Sequence, residues 1–220
     1  MMFSSSEVVK AAFLGGFVSV FFIVNLVNAS RILLSSGQRS SRIERETFKG
    51  NRVRSIQLTI AGFGTVTYFA VIVVYCISVF VGLFELLSAW TVDLHPTLSV
   101  CSDVVGATFI AVGCFIFLWS ILERGRRSNL NKLVTWGAFR YIRHPSYAGY
   151  FLMFTGLVLL LRHPMALLPL VAIPGYVGLA TFEEQMLIEE FGEPYLKYQR
   201  RTGRFLPKRR SPRTDVSEAD

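Results

Sequence analysis

The feature of this sequence that most constrains its fold is a series of long apolar runs with almost no charge inside them. About 20 apolar residues are enough to cross a hydrocarbon core of about 30 Å. The chain is 52% hydrophobic and only 17% charged, which is atypical of a soluble domain. The runs predict an all-α integral membrane protein of about five transmembrane helices, at Val8 to Ala29, Ile56 to Leu87, Val104 to Leu122, Ser146 to Leu161 and Met165 to Phe182.

Two of these runs allow more than one interpretation. The first could be a signal peptide, because Val27-Asn28-Ala29 resembles a cleavage site, but its basic n-region is almost absent. The second exceeds one straight span, so it is either a long tilted helix or a helix broken near Gly62 and Gly64. We interpret the first run as an uncleaved span.

The basic residues are confined to the gaps between alternate runs. Of the 23 Lys and Arg residues, 21 lie in the segments 30–55, 123–144 and 183–220, and the exceptions are Lys10 and Arg162. The positive-inside rule places these segments and the C-terminus in the cytoplasm, with the N-terminus and the acidic loop 88–103 outside. A cleaved first run would export the basic 30–55 segment, which argues against a signal peptide. The net charge of +8 therefore indicates contact with anionic lipid rather than nucleic acid.

The cysteines give no indication of a metal site. Cys76, Cys101 and Cys114 form no CxxC pair and no Cys/His cluster. A disulfide framework or a metal centre is therefore not expected.

Candidate functional residues lie in two segments on the expected cytoplasmic face. In the first, LVTWGAFRYIRHPSY, Pro145 can begin the fourth helix, whose positive end would suit an anionic group such as a carboxylate. The second follows the fifth run, where Glu183 and Glu184 lie before a helix stop at Gly192 and a new helix start at Pro194. We expect an enclosed cytoplasmic pocket formed by the loop before the fourth helix and the helical C-terminal tail.

The blocks LVTWGAFRYIRHPSYAGYF and EEQMLIEEFGEPYLKYQRRTGRFLP resemble the isoprenylcysteine carboxyl methyltransferase family, which is related to membrane phospholipid methyltransferases. The resemblance covers roughly residues 119–208. It implies S-adenosyl-L-methionine as cofactor and a lipid-like or prenylated acceptor that enters from the bilayer. It assigns catalytic roles to Arg143, His144 and Glu184. It assigns cofactor binding to Asn131, Lys132, Leu133, Val134, Phe139, His144, Pro145, Ser146, Tyr147 and Glu183.

The resemblance also suggests a division of the chain. We treat residues 1–220 as a single membrane domain, in which 1–103 contain two N-terminal spans and their loops. Residues 104–208 would form the methyltransferase-like core, and residues 209–220 a basic tail.

One position departs from the family pattern. The family carries an arginine four residues before the first glutamate, thought to bind the acceptor carboxylate, and this chain has Leu179 there. Without a guanidinium, a carboxylate loses its best bidentate partner. Either Arg140, Arg143 or Arg204 substitutes, or the acceptor is a phospholipid, an amine or a thiol.

Two other classes of protein fit parts of the sequence. Sterol-type NADPH-dependent membrane reductases carry a similar RHP motif, but the basic, cysteine-containing segment expected before the glycine is replaced here by EEQMLIEEFG. A non-enzymatic membrane scaffold would leave the polar residues on the aromatic-rich face unexplained. The sequence therefore favours a methyltransferase.

Overall fold

The computed structural model describes residues 5–35, 52–83, 88–125 and 133–208, and these residues contain helices and no strand. The predicted all-α fold is therefore confirmed. The helices are α1 (Ser5–Ser35), α2 (Arg52–Val81), α3 (Pro96–Gly125), α4 (Pro145–Leu161), α5 (Ala172–Phe191) and α6 (Glu193–Arg201), with 3₁₀ helices at Gly137–Arg140 and Pro164–Val171.

Within the described residues, four helical segments are long and apolar enough to cross a membrane. They are Ser5–Val27, Val53–Val81, Pro96–Arg124 and Pro164–Phe191. The fourth predicted span corresponds to α4, an apolar helix of only 17 residues. At 1.5 Å per residue it is about 26 Å long, which is at the lower limit for a transmembrane helix. The chain is therefore a multi-pass membrane protein of four to five apolar helices.

Two of the predicted runs take a different form in the structure. Helix α2 continues through Gly62 and Gly64 without a break, and it ends at Val81, before a positive φ at Gly82. The fifth run begins as a 3₁₀ helix with Pro169 inside it and becomes α-helical only from Ala172. Helix α5 then extends past the predicted end of the run to Phe191.

Helices α3 and α4 pack closely through two pairs of glycines. A Cβ added at Gly149 would lie 2.6 Å from the carbonyl oxygen of Gly113, and one at Gly156 would lie 2.7 Å from that of Gly106. Such separations are too short for a side chain, so only glycine permits the observed approach. Small residues commonly bring helices together in membranes in this way. This packing fixes α4, whose first turn carries the predicted site.

Helix α4 packs most closely on α3, and a tight turn joins it to the fifth run. Helix α5 instead packs on α2, where a Cβ at Gly175 would lie 2.7 Å from the amide nitrogen of Ala61. Arg162 makes this tight turn in the left-handed conformation. Aromatic rings fill the space between α4 and α5, with the Tyr150 and Tyr176 centroids 5.2 Å apart.

The two basic residues that broke the charge pattern lie together at one end of the bundle. The Lys10 ammonium contacts Glu7 and Asp103 at 3.0 Å each, and Arg162 contacts the other oxygen of Asp103. The Tyr75 hydroxyl donates to Glu7 at 2.6 Å. Both exceptional cations are therefore neutralised by carboxylates at that end.

Candidate active site

A cluster of five charged side chains lies where α4 begins, near the C-terminal end of α5. We call it the polar cluster. Its members are Arg143, His144, Glu183, Glu184 and Arg204.

Local backbone structure holds two of these residues at the start of α4. Pro145 is the first residue of the helix, and His144 before it is not helical, with a φ of −122° and a ψ of 65°. The segment before it pairs with the chain after α6, because the amide of Arg143 donates to the Gly203 carbonyl at 2.9 Å. The amide of His144 likewise donates to the Arg204 carbonyl at 3.0 Å. This short parallel pairing joins the two matched sequence blocks.

Glu184 is the centre of the polar cluster, with a side chain that is only 4% exposed. It accepts a hydrogen bond from Arg143 Nε at 2.9 Å. Arg204 binds both of its oxygens, through Nε at 3.1 Å and Nη2 at 2.7 Å. The Gln199 amide donates to Oε2 at 3.2 Å. A buried carboxylate with this many donors is held ionised and in one orientation.

His144 lies between the two glutamates. Its Nδ1 is 3.2 Å from Oε2 of Glu183, and its Nε2 is 3.2 Å from Oε1 of Glu184. Burial acts to lower the pKa of His144, but the hydrogen bonds to Glu183 and Glu184 outweigh it, so the pKa is raised above its ordinary value. The imidazolium form, which donates from both nitrogens, is therefore favoured.

Glu183 is the more accessible carboxylate of the cluster, with a side chain that is 35% exposed. The Tyr147 hydroxyl donates to its Oε1 at 2.6 Å. The Tyr147 ring stacks on the His144 imidazole with an interplanar angle of 4°. Tyr147, His144 and Glu183 thus form one rigid wall at the first turn of α4.

Helix α6 holds the C-terminal segment against the loop before α4. The Tyr198 hydroxyl donates to the Phe139 carbonyl at 2.6 Å. Arg143 donates through Nη1 to the carbonyl of Gln199 at 3.1 Å and to that of Thr202. The predicted helix stop at Gly192 is confirmed, with a φ of +59°, and α6 begins directly after it.

The structure brings together most of the residues that the sequence predicted. Arg143, His144 and Glu184, together with Tyr147 and Glu183, are in mutual contact. The other predicted residues lie around them. Pro145 and Ser146 are buried in the first turn of α4, Phe139 is buried in the preceding 3₁₀ helix, Leu133 and Val134 are half-buried, and Asn131 and Lys132 lie outside the described residues.

Sequence reasoning expected the helical tail to form part of the pocket but named no site residue in α6 or at its C-terminal end. Gln199 and Thr202 both bind members of the polar cluster, and neither was predicted. A signal was available, because Tyr195, Tyr198, Gln199 and Thr202 recur at the spacing of one helix face.

An apolar groove of about 540 Å³ lies beside the polar cluster, between α3, α4 and the end of the described chain. Phe205 separates the two, since its ring lies 5.9 Å from that of His144 and 5.1 Å from that of Phe151. Trp119 lines the groove. The remaining lining residues include Ile116, Tyr141, Ile142, Pro145, Ala148, Leu152 and Leu206.

The apolar helices define a polytopic membrane protein. At one end of the helical bundle it carries a buried acid–base cluster next to an apolar groove. Comparison with known proteins shows which proteins the chain is similar to. Residues 102–194 match the sequence model of the phospholipid methyltransferase family.

Three protein-S-isoprenylcysteine O-methyltransferases are similar to longer segments of the chain. The protein-S-isoprenylcysteine O-methyltransferase of Tribolium castaneum is 28% identical over 202 residues, covering 88% of this chain and 65% of the relative. That of Xenopus laevis is 35% identical over 146 residues, covering 55% and 48%. Protein-S-isoprenylcysteine O-methyltransferase B of Arabidopsis thaliana is 26% identical, covering 54% and 60%.

The chain thus spans less than two thirds of the length of these relatives. Together, the matches confirm the similarity to isoprenylcysteine carboxyl methyltransferases that the two sequence blocks predicted.

Proposed function

We propose that this chain is an integral membrane methyltransferase that uses S-adenosyl-L-methionine and transfers its methyl group to a lipid-like acceptor. The observation that carries the proposal is the polar cluster, in which the two blocks that resemble the family meet at the start of α4. The similar protein-S-isoprenylcysteine O-methyltransferases favour a prenylcysteine carboxylate as the acceptor. They do not favour the reductase or scaffold alternatives.

The residues at the start of α4 suit the charged ends of this cofactor. The first backbone N–H groups of α4 have no acceptor within the helix, so they can bind a carboxylate beside His144. Glu183, the more exposed carboxylate, can accept from an amino group or a ribose hydroxyl. These assignments rely on the chemistry of the side chains present. They extend to Pro145, Ser146, Tyr147, Phe139, Leu133 and Val134 by family resemblance, and to Asn131 and Lys132 outside the described residues.

The protein's main task would be placement rather than proton transfer. When bound, S-adenosyl-L-methionine would supply an activated sulfonium methyl group, with the sulfur retaining the electron pair of the broken bond. A carboxylate acceptor is already ionised, so the chain needs no general base for it. Arg143 and Glu184 would keep the site rigid, and the apolar wall at Phe205 would exclude water.

The site is proposed to face the cytoplasm. Two of the segments rich in Lys and Arg, 123–144 and 183–220, contain the residues of the polar cluster, whereas the paired Lys10 and Arg162 lie with the acidic 88–103 loop at the other end. This arrangement follows the positive-inside rule. Residues 104–208, which contain the cluster and the groove, would form the catalytic core.

A phospholipid amine is the second candidate acceptor, because the matching family model is that of phospholipid methyltransferases. An amine must be neutral to accept a methyl group, so it would need a proton acceptor. Glu183 is the accessible carboxylate that could serve. Rates that rise as the amine deprotonates would indicate this acceptor.

Methyl transfer tests the proposed function. Purified, reconstituted protein is incubated with methyl-tritiated S-adenosylmethionine and a farnesylated N-acetylcysteine, with phosphatidylethanolamine vesicles in a parallel reaction. We expect label in one acceptor, and a large loss of transfer in Glu183→Gln and His144→Ala. The exposed Glu193→Gln is the matched control and should keep full activity. No transfer to either acceptor, together with no binding of the cofactor, would refute the proposal.

A further inference from the structure

The position that supplies the acceptor-binding arginine in the family supplies none here. Leu179 lies in α5, is 8% exposed and belongs to the apolar core. If the proposed function is correct and the acceptor is a carboxylate, another residue must bind its charge. The following inference rests on that proposed function.

Two of the three candidate arginines are poorly placed. Arg140 ends the 3₁₀ helix and is exposed to solvent. Arg143 is only 10% exposed, with Nε on Glu184 and Nη1 on two main-chain carbonyls. Moving Arg143 toward an acceptor would break the contacts that hold the C-terminal segment in place. Arg143 is therefore a structural member of the cluster.

Arg204 is both charged and accessible. Its side chain is 35% exposed, compared with 4% for its partner Glu184. Two of its nitrogens bind Glu184, while Nη1 makes a long 3.3 Å contact with the neutral hydroxyl of Thr181. An acceptor carboxylate would replace that weak contact with a charge-assisted hydrogen bond, which is roughly twice as strong as a neutral one.

The charges of the cluster favour an anion at this position. The guanidinium groups of Arg143 and Arg204 share one carboxylate, that of Glu184. The His144 imidazolium is matched by the second carboxylate, that of Glu183. One positive charge is therefore left over, and it is complementary to the headgroup of a singly charged acid.

The apolar groove borders the segment that follows this arginine. The residues that follow Arg204 in the chain, Phe205, Leu206 and Pro207, form one wall of the apolar groove. Its volume of about 540 Å³ is within the range of small-molecule sites. A single-chain amphiphile could hold its tail there and bring its acid group toward the cluster.

We propose that Arg204 binds the carboxylate of a lipid-like acceptor in this protein and takes over the role of the guanidinium that is absent at position 179. The groove holds the acceptor's apolar tail. Arg204 thereby sets the preference for an acid over a neutral lipid.

The test separates acceptor binding from cofactor binding. Steady-state kinetics with farnesylated N-acetylcysteine are measured for wild type, Arg204→Gln and Arg204→Lys. Arg200→Gln is the control, since Arg200 lies nearby on α6 and is exposed in a surface pair. We expect Arg204→Gln to raise KM by about tenfold or more, as expected for the loss of a charged hydrogen bond. Affinity for S-adenosylhomocysteine should change by less than about twofold, because Arg204 would not contact the cofactor.

A second measurement detects the acid preference directly. The farnesylated cysteine acid and its carboxamide are compared as competing ligands. Wild type should prefer the acid, Arg204→Gln should lose that preference and Arg204→Lys should partly restore it. A variant that loses cofactor affinity, or that keeps the acid preference, would show that Arg204 only positions Glu184 and would overturn the inference.

The outcomes for wild type distinguish this inference from the proposed function. If wild type binds S-adenosylhomocysteine but does not prefer the acid, the inference about Arg204 is wrong and the methyltransferase proposal stands. If wild type does not bind S-adenosylhomocysteine, the proposed function fails and the inference fails with it.

Discussion

At the scale of single residues, Glu184 connects more of the site than any other side chain described. It binds Arg143, His144, Gln199 and Arg204, which come from the start of α4, from α6 and from the segment after it. Removing one member of a buried ion pair leaves the others desolvated and unpaired, which is strongly destabilising.

Glu184→Gln should therefore lower the free energy of unfolding by about 3 kcal/mol. Thermal unfolding in detergent measures this as a lower apparent Tm. Glu193→Gln removes an exposed carboxylate that pairs with Arg200, and it should cost less than about 1 kcal/mol. Equal shifts for the two variants would contradict the central role of Glu184.

His144 gives the site a defined pH dependence. Its pKa is raised above the ordinary value of 6.5, so its charged form stabilises the folded state. This contribution is fully present below about pH 6.5 and is lost as the pH rises through the raised pKa. Wild type should therefore lose apparent Tm on the alkaline side relative to His144→Asn. If Tm changes in parallel for wild type and His144→Asn between pH 5 and 9, His144 is not charged in the folded protein.

At the scale of helices, glycine pairs set the position of α4. Each added methyl group at Gly149 or Gly113 would meet the opposite backbone at 2.6 Å. Backbone atoms cannot move aside as a flexible side chain can, so the two helices would have to separate.

Gly149→Ala should cost about 1–3 kcal/mol through this overpacking. It should also impair methyl transfer, because α4 carries His144 and Tyr147. Gly62→Ala is the matched control, since a Cβ at Gly62 in α2 has no neighbour within 4 Å. In the control, the better helix propensity of Ala should leave Tm unchanged or slightly higher. Unchanged Tm and unchanged methyl transfer in Gly149→Ala would show that α3 and α4 tolerate a wider spacing.

Local signals in the sequence predicted much of this architecture. The start of α4 at Pro145 and the stop at Gly192 follow from residues that act on their own backbone. Helix partners depend instead on contacts between distant residues. The sequence therefore did not predict that α4 lies against α3, or that α2 remains unbroken at Gly62 and Gly64.

The same distinction applies to the site. Arg143, His144 and the two glutamates could be predicted from the paired blocks, although their spacing of about 40 residues gives no distances. The pairing of residues 143–144 with 203–204 involves main-chain groups, which leave no pattern in side-chain type. For that reason Arg204 was one of three candidates in the sequence and became the favoured one only in the structure.

At the scale of the whole molecule, charge predicts the orientation in the membrane. Lys10 and Arg162, the exceptions to the positive-inside pattern, are neutralised by Glu7 and Asp103. Two cations against 21 leave the bias unchanged, because the orientation follows the excess of Lys and Arg in the loops.

Single cysteines can test this orientation in a background that lacks Cys76, Cys101 and Cys114. Cysteine at the exposed Asp93 should react with a membrane-impermeant maleimide on intact cells. Cysteine at the exposed Glu193 should react only after permeabilisation. The reverse pattern would place the polar cluster outside the cell.

The most direct test of the account is isothermal titration of the purified protein with S-adenosylhomocysteine, with NADPH titrated alongside. We predict a Kd in the micromolar range, corresponding to about −8 kcal/mol, for the first and no binding of the second. His144→Ala should weaken the binding of S-adenosylhomocysteine. Binding of NADPH alone, or of neither compound, would contradict the assignment of this bundle and its polar cluster to methyl transfer.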